Sequence, residues 1–192
     1  MIPSLPDEIE APLRVWLDLL DRWNRTHALT ALPPGQRWEE LVLDAAALLP
    51  WLKELPARSR VVDLGTGMGS PALILALARP DLDIIGLDAA SKKIAFLRQS
   101  ALELGIRNLE AVHGRFESLP GLNADAGVAK ALAPLGQLAA WWTRHGKPGA
   151  PLLALKGPGW ETEPLPEAWR ADSQAYDLPT RGRRSVIRLR PE

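Results

Sequence analysis

Arg60-Val61-Val62-Asp63-Leu64-Gly65-Thr66-Gly67-Met68-Gly69-Ser70 runs from apolar residues straight into a glycine turn, and the next apolar run ends at Asp88. The stretch reads as a buried strand, a tight turn, the start of a helix, and a second strand closed by a carboxylate. Glycine lets the backbone turn sharply and bring its amides against a ligand where a side chain would intrude. Asp88 stands about where a nucleotide-type fold places the acid that holds ribose hydroxyls. The spacing is Gly-x-Gly-x-Gly, with Ser70 where a dinucleotide fingerprint wants its third glycine. No Lys or Arg lies between Val61 and Ala78, so nothing near the turn counters phosphate charge. The expected ligand is a nucleoside without phosphates, and S-adenosylmethionine fits best.

Outward from this stretch, strands alternate with helices, the pattern of a mostly parallel sheet covered on both faces. Strands are expected at about 60–64, 83–87, 109–113, 124–129, 151–155 and 184–189, with a short one near 174–178. Helices fall at about 71–79, 91–104 and 134–145. Upstream, Leu13, Trp16, Leu17, Leu20 and Trp23 recur at helical spacing over residues 7–23. Leu41, Val42, Ala45, Leu48, Leu49 and Leu52 do so over 38–52, after a Pro33-Pro34-Gly35 loop. The prediction is an α/β chain with a Rossmann-like, seven-stranded sheet. It forms one domain over 1–192, with a helical extension (1–56) before the core (57–192).

Bulk properties narrow the function. The 23 basic and 23 acidic residues cancel, so a nucleic-acid partner would have to be met by a local patch. The absence of cysteine excludes disulfides and thiolate chemistry. His27, His113 and His145 are scattered without spaced partners, so no metal site is expected. There is no Gly-x-Ser-x-Gly elbow and no Gly-Lys-Ser/Thr loop. The acidic, proline-broken start is no signal peptide. The longest charge-free run, 64–78, is shorter than the roughly 20 residues that span a bilayer. A soluble cytoplasmic protein with no membrane contact is expected.

Ligands of a parallel sheet lie beyond the carboxyl ends of its strands. That rule nominates four loops, Gly65–Ser70 (with Gly65, Gly67, Gly69 and Ser70), Asp88–Lys93, Arg115–Glu117 and Lys130–Leu132, and the fifth strand adds Lys156-Gly157. Phe116 would rest against an adenine, with Glu117 at its edge. Lys130 interrupts an apolar run and would face the cleft. Arg181, Arg183, Arg184, Arg188 and Arg190 gather five cations near the end of the chain, well matched to phosphate oxygens. Lys92, Lys93 and Arg98 read as solubilising, and Trp16, Trp23, Trp141 and Trp142 as core.

With these residues assembled, the chain resembles the RsmG (GidB) family of bacterial 16S ribosomal RNA guanine-N7 methyltransferases. The resemblance runs through Trp23-Asn24, Leu29-Thr30, Leu43-Asp44, the Gly65–Ser70 loop and Pro71, then Arg79-Pro80, Asp88 and Lys92. It continues with Phe96-Leu97-Arg98, Asn108, Arg115, Glu117, Ala133-Pro134 and Ala154-Leu155-Lys156-Gly157. It implies that Gly65 and Ser70 line the methionine end of the cofactor, that Asp88 holds the ribose, and that Phe116 and Glu117 border the adenine. Lys130 would lie beside cofactor and substrate as the candidate catalytic cation. The RNA, free or in an assembling small subunit, would meet Lys156, Arg181, Arg183 and Arg184. The chain departs from the family pattern at Leu41, Ala89, Lys130, Leu132 and Arg184.

Guanine N7 has an in-plane lone pair, so no general base is called for. A methyltransferase for a small molecule or protein is the first rival reading. A nucleotide-binding oxidoreductase or non-catalytic nucleoside-binding module is the second.

Overall fold

Val61, Val62, Asp63 and Leu64 are all inaccessible to solvent, which only a strand covered on both faces achieves. They belong to β1 (Arg60–Leu64), at the centre of a seven-stranded sheet. The computed structural model describes residues 3–192. The other strands are β2 (Asp83–Asp88), β3 (Leu109–His113), β4 (Ala126–Lys130), β5 (Leu152–Lys156), β6 (Trp169–Leu178) and β7 (Gly182–Pro191). Their order is β3-β2-β1-β4-β5-β7-β6. The first five are parallel, and β7 runs antiparallel between β5 and β6.

The helices are α1 (Glu10–His27), α2 (Pro34–Arg37), α3 (Asp44–Ala46), α4 (Leu49–Leu52), α5 (Ala72–Ala78), α6 (Ser91–Glu103) and α7 (Leu135–His145). Between α2 and α3 the chain winds as a π-helical turn, Trp38–Leu43. One side of the molecule packs Leu13, Trp16 and Leu20 of α1 against Leu73, Ile74, Phe96 and Leu97 of α5 and α6. The opposite side packs Leu135, Leu138 and Trp142 of α7 on Val62, Leu64, Leu152 and Ile187 of the sheet.

Several family-pattern residues hold this frame. The Asn24 side-chain amide donates to Thr30 O (3.0 Å), and its oxygen accepts from Thr30 N (2.9 Å), closing the loop after α1. Lys92 Nζ donates to His27 O (3.0 Å), at the carboxyl end of α1 where a cation is favoured. Asn108 Nδ2 donates to the carbonyls of Ala76, Arg79 and Leu82 and ties the α5–β2 turn to β3. Arg98 donates to Ala111 O. Lys92 and Arg98 are therefore structural rather than merely solubilising.

The sequence expectations need three corrections. The first helix continues to His27, ending where Ala28 turns left-handed (φ 46°). The second begins earlier, at Pro34, because proline at a first helical position has no amide to leave unsatisfied. It then changes to π winding at Trp38 and is interrupted before Leu49. The short strand near 174–178 is a ten-residue edge strand, β6. Its first half is mostly exposed, so it carries little of the alternation that marks a half-buried strand.

Candidate active site

The glycine turn leaves β1 at the carboxyl edge of the parallel strands. Gly65 has φ 71°, a left-handed conformation that favours glycine, and a Cβ there would fall 2.6 Å from Leu132 Cδ1, so a larger residue would also have to move the Leu132 side chain. The amides of Gly65 and Thr66 donate to Leu87 O (2.8 and 3.0 Å), and that of Gly69 to Thr66 O (2.9 Å). Gly67 N donates to Asp88 Oδ2 (2.9 Å). The expectation that these glycine amides meet the ligand is thus corrected, because all three point inward. A turn whose amides are spent is no anion cradle, in keeping with a ligand lacking phosphates.

Asp88 closes β2 with its carboxylate folded back on the turn. Oδ2 accepts from Gly67 N and Oδ1 from Ala90 N (2.8 Å). An ionised carboxylate has about four acceptor sites. Asp88 can thus hold the loop and still accept from a pair of vicinal hydroxyls.

The sequence reading missed Asp63 and covered Thr66 only as part of the Gly65–Ser70 loop; both lie between these elements. Asp63 is fully buried, and its Oδ2 accepts from Ala72 N (2.9 Å). Neither its Oδ1 nor the buried Thr66 hydroxyl meets a partner in full hydrogen-bond geometry, although the hydroxyl is close enough to favour the charged carboxyl. Buried polar atoms are seldom left unmatched, so this pair suits the polar end of a bound molecule. Loss of hydration pushes the Asp63 pKa up to about 7, against the lowering pull of Thr66, the Ala72 amide and Lys130. The signal in sequence was an acid in an otherwise apolar strand.

This shift has a measurable sign. Between about pH 4 and pH 7 folded Asp63 keeps a proton that the unfolded chain has lost. Its contribution to stability is complete below that window and disappears as pH rises through it. Asp63→Asn, neutral throughout, should gain thermal stability relative to the wild type on going from about pH 5 to about pH 8. Melting curves with the same offset at both pH values would refute the assignment.

The loop after β3 carries Phe116 and Glu117. The Phe116 ring packs 4.9 Å from that of Trp141, which is half-buried at the edge of the core and supports the loop from there. Glu117 is exposed. The end of α7 holds the loop from beneath. His145 Nε2 lies 2.9 Å from Phe116 O, and Arg144 Nε donates to Leu119 O (2.6 Å). Burial and the neighbouring Arg144 lower the His145 pKa, against the Phe116 carbonyl. A carbonyl only accepts, so Nε2 carries the ring proton, and the unpartnered Nδ1 is the bare nitrogen.

Lys130 ends β4, and the next residue, Ala131, is left-handed (φ 48°). Its ammonium donates to Glu40 O of the π-helical turn and lies 3.6 Å from Asp44 Oδ2. Asp44 Oδ1 in turn accepts from the Tyr176 hydroxyl (2.6 Å). Burial lowers the Lys130 pKa, opposed by the carboxylates of Asp44, Glu40 and Asp63. Burial and the Asp44 charge raise that of Tyr176. The expected open cleft cation is thus a buried linchpin between helical extension and sheet. Taking away one member of such a pair strands the other charge. Ser70 is corrected likewise: its hydroxyl donates to Leu41 O (2.6 Å), toward the same extension.

The cations nominated for RNA also have partners. Lys156 Nζ bonds both Glu163 carboxylate oxygens (2.8 Å each) and Ala133 O (2.8 Å), while Glu163 accepts from Leu135 N at the start of α7. Arg181 and Arg184 converge on Glu40. Arg188 and Arg190 share Asp172 across the β6–β7 hairpin. Arg183 is exposed, opposite Asp177. Cross-strand and helix-to-hairpin carboxylates, invisible along the chain, answer the cluster read as unpaired.

A cavity of about 490 Å³ is lined by Leu5, Leu49, Trp51 and Val186 and by no residue of the glycine turn. Among the described residues no group of three His, Asp or Glu is placed to hold a metal ion, and no helix is long and apolar enough to cross a membrane.

Three comparisons bear on this geometry. The model of the family described as rRNA small subunit methyltransferase G matches residues 9–176. Ribosomal RNA small subunit methyltransferase G of Neisseria gonorrhoeae is 37% identical over 158 residues, 82% of this chain and 75% of that protein. The Bordetella avium protein of the same name is 36% identical over 171 residues, 86% of this chain and 76% of its own. Among solved structures, an RNA methyltransferase from Salinibacter ruber in complex with S-adenosyl-L-homocysteine superposes with a TM-score of 0.57. It is 19% identical and covers 77% of this chain and 90% of its own, a likeness of fold.

Proposed function

Since this chain belongs to the rRNA small subunit methyltransferase G family, we propose that it transfers a methyl group from S-adenosylmethionine to N7 of a guanine in 16S ribosomal RNA. The chain is a methyltransferase, and the observation that carries the cofactor reading is the orphaned pair of Asp63 Oδ1 and Thr66 Oγ1 beside a glycine turn latched to Asp88. Asp88 would accept the ribose hydroxyls, and Phe116 and Glu117 would border the adenine. Gly65, Gly67 and Gly69 would form the floor under the methionine part, near Asp63. Ser70 and Lys130 would act through the extension they anchor, shaping the cleft rather than touching a ligand.

When bound, the cofactor supplies an electrophilic methyl on a sulfonium. Guanine N7 attacks with a lone pair that carries no proton, so the protein has none to remove. Its task is alignment and exclusion of water, worth several kcal/mol or more of the barrier. Leu132 would cover the turn at Gly65, and Asp63, with a pKa of about 7, would take up its negative charge beside a cationic ligand. The rim formed by Arg181, Arg183 and Arg184 would meet phosphates, with Lys156 fixing the loops beside it. We read the chain as one working domain, 1–192, acting in the cytoplasm on free small-subunit RNA or an assembling subunit.

The test is direct. Small-subunit RNA from cells lacking the activity, naked and assembled, is incubated with protein and methyl-labelled S-adenosylmethionine and digested to nucleosides. Label is expected in 7-methylguanosine. Label in another nucleoside, or none from either substrate, would overturn the reading.

A further inference from the structure

The sheet register sets Lys130 beside Leu155 and Lys156 beside Ser185. The start of β7 and the β6–β7 turn thus share the rim where the glycine turn lies. There two adjacent glutamates of the π-helical turn meet the hairpin in different ways. Glu39 accepts from Thr180 N (2.7 Å), Thr180 Oγ1 (2.7 Å) and Arg181 N (3.0 Å). Its grip is on the turn itself. The Glu40 carboxylate bonds only guanidinium groups, those of Arg181 and Arg184. Its main-chain carbonyl is held separately by Lys130.

We propose that Glu40 is an internal counter-ion that occupies the place of an RNA phosphate and yields it when RNA binds. The proposal rests on the reading of RNA as substrate. Two guanidinium groups converging on one carboxylate form a receptor equally suited to a phosphate, since both anions offer paired oxygens to arginine forks. Arg181 is 43% exposed and Arg184 22%, so the receptor is open to solvent, while Glu40 at 14% fills it from the protein side. Glu39 also faces Arg181, so the cluster is balanced and a phosphate reaches the arginines by taking the place of the Glu40 carboxylate. Glu39 and the Lys130–Glu40 carbonyl bond also fix the hairpin and the turn, so the Glu40 carboxylate is not their sole tie, although its charge helps to keep buried Lys130 protonated. Glu40 sets a threshold: weakly placed phosphates fail to displace it, and only RNA seated by its other contacts does so.

The test measures RNA affinity across a salt series for the wild type, Glu40→Gln, Glu40→Asp and Arg181→Ala/Arg184→Ala, using transcribed 16S RNA. Glu40→Gln should bind about 5-fold more tightly at low salt, as expected for releasing a partly exposed ion pair. Its slope against log salt should steepen by about 0.7 to 1 per phosphate gained. Glu40→Asp, which keeps the charge but shortens the reach, should fall between it and the wild type, and supplies the answer if Glu40→Gln folds poorly. The double arginine variant should bind more weakly, with a shallower slope. If both glutamate variants bind no more tightly than wild type while the arginine variant weakens binding, Glu40 is only a clamp and the proposal fails with the RNA reading intact. If the wild type neither binds nor methylates the RNA, the RNA reading fails and the proposal with it.

Discussion

Asp88→Ala is expected to weaken binding of S-adenosylmethionine and S-adenosylhomocysteine by about 10- to 100-fold. A hydrogen bond to a charged group contributes about 1.5–3 kcal/mol, and in the proposed function Asp88 accepts from the ribose hydroxyls. The substitution also releases Gly67 N and Ala90 N, which the carboxylate holds at 2.9 and 2.8 Å. The glycine turn therefore loses its latch as the cofactor loses its acceptor. Asp88→Asn, which keeps one acceptor oxygen, should lose less. Calorimetric titration with S-adenosylhomocysteine, alongside circular dichroism to verify folding, reads the effect. A folded Asp88→Ala protein with wild-type affinity would move the ribose site elsewhere.

Trp142→Ala should cost about 3–5 kcal/mol, a large part of the 5–15 kcal/mol typical of a domain. Trp142 is 1% exposed, and its indole N–H donates to Ala150 O (2.9 Å). The sheet is shaped around the ring: a Cβ on Gly127 of β4 or on Gly146 would fall 2.7 Å from it. Alanine leaves a cavity that these glycines cannot fill, and an unmatched carbonyl. For a chain of this length the melting temperature should fall by about 10 °C. The same helix end carries Arg144 and His145, which hold the Phe116 loop, so cofactor affinity should fall with it. Urea denaturation giving a loss below about 1 kcal/mol would show that the ring is not a keystone of this layer.

Contrasting residues show what the sequence could reveal. Strands β1 and β3 were legible to the residue because glycine or asparagine punctuates short apolar runs with no competing pattern. Edge strand β6 was not, since its register comes from pairing with β7 rather than from a buried face. The place of Asp88 at the end of β2, latched to the glycine turn, was readable because strand end and acid coincide at a set separation from that turn. Asp63 was passed over inside an apolar run, where only burial reveals the carboxyl's state. The arginines near the end looked unopposed because Glu40 and Asp172, which neutralise them, lie far away in sequence or on the facing strand. Composition counts charges, and only the fold pairs them. Leu132, noted as a departure from the family pattern, proves to lie over Gly65, so that difference falls at the glycine turn.

The π-helical turn Trp38–Leu43 makes the extension tolerant of a change in chain length that the rest of its helical surface would not absorb. Such a turn holds one residue more than an α-helical turn. Its six residues wind the chain through about the angle that five would cover in an α-helix, so losing one there restores regular winding with almost the same phase after it. Asp44 would stay turned toward Lys130 and Tyr176, whereas losing a residue from α1 would rotate everything after it in that helix by about 100°. For descendants of this gene, an in-frame loss of one codon at Trp38–Leu43 puts at risk the glutamates that grip the hairpin more than the phase of the helix on which the rim of the cleft is mounted.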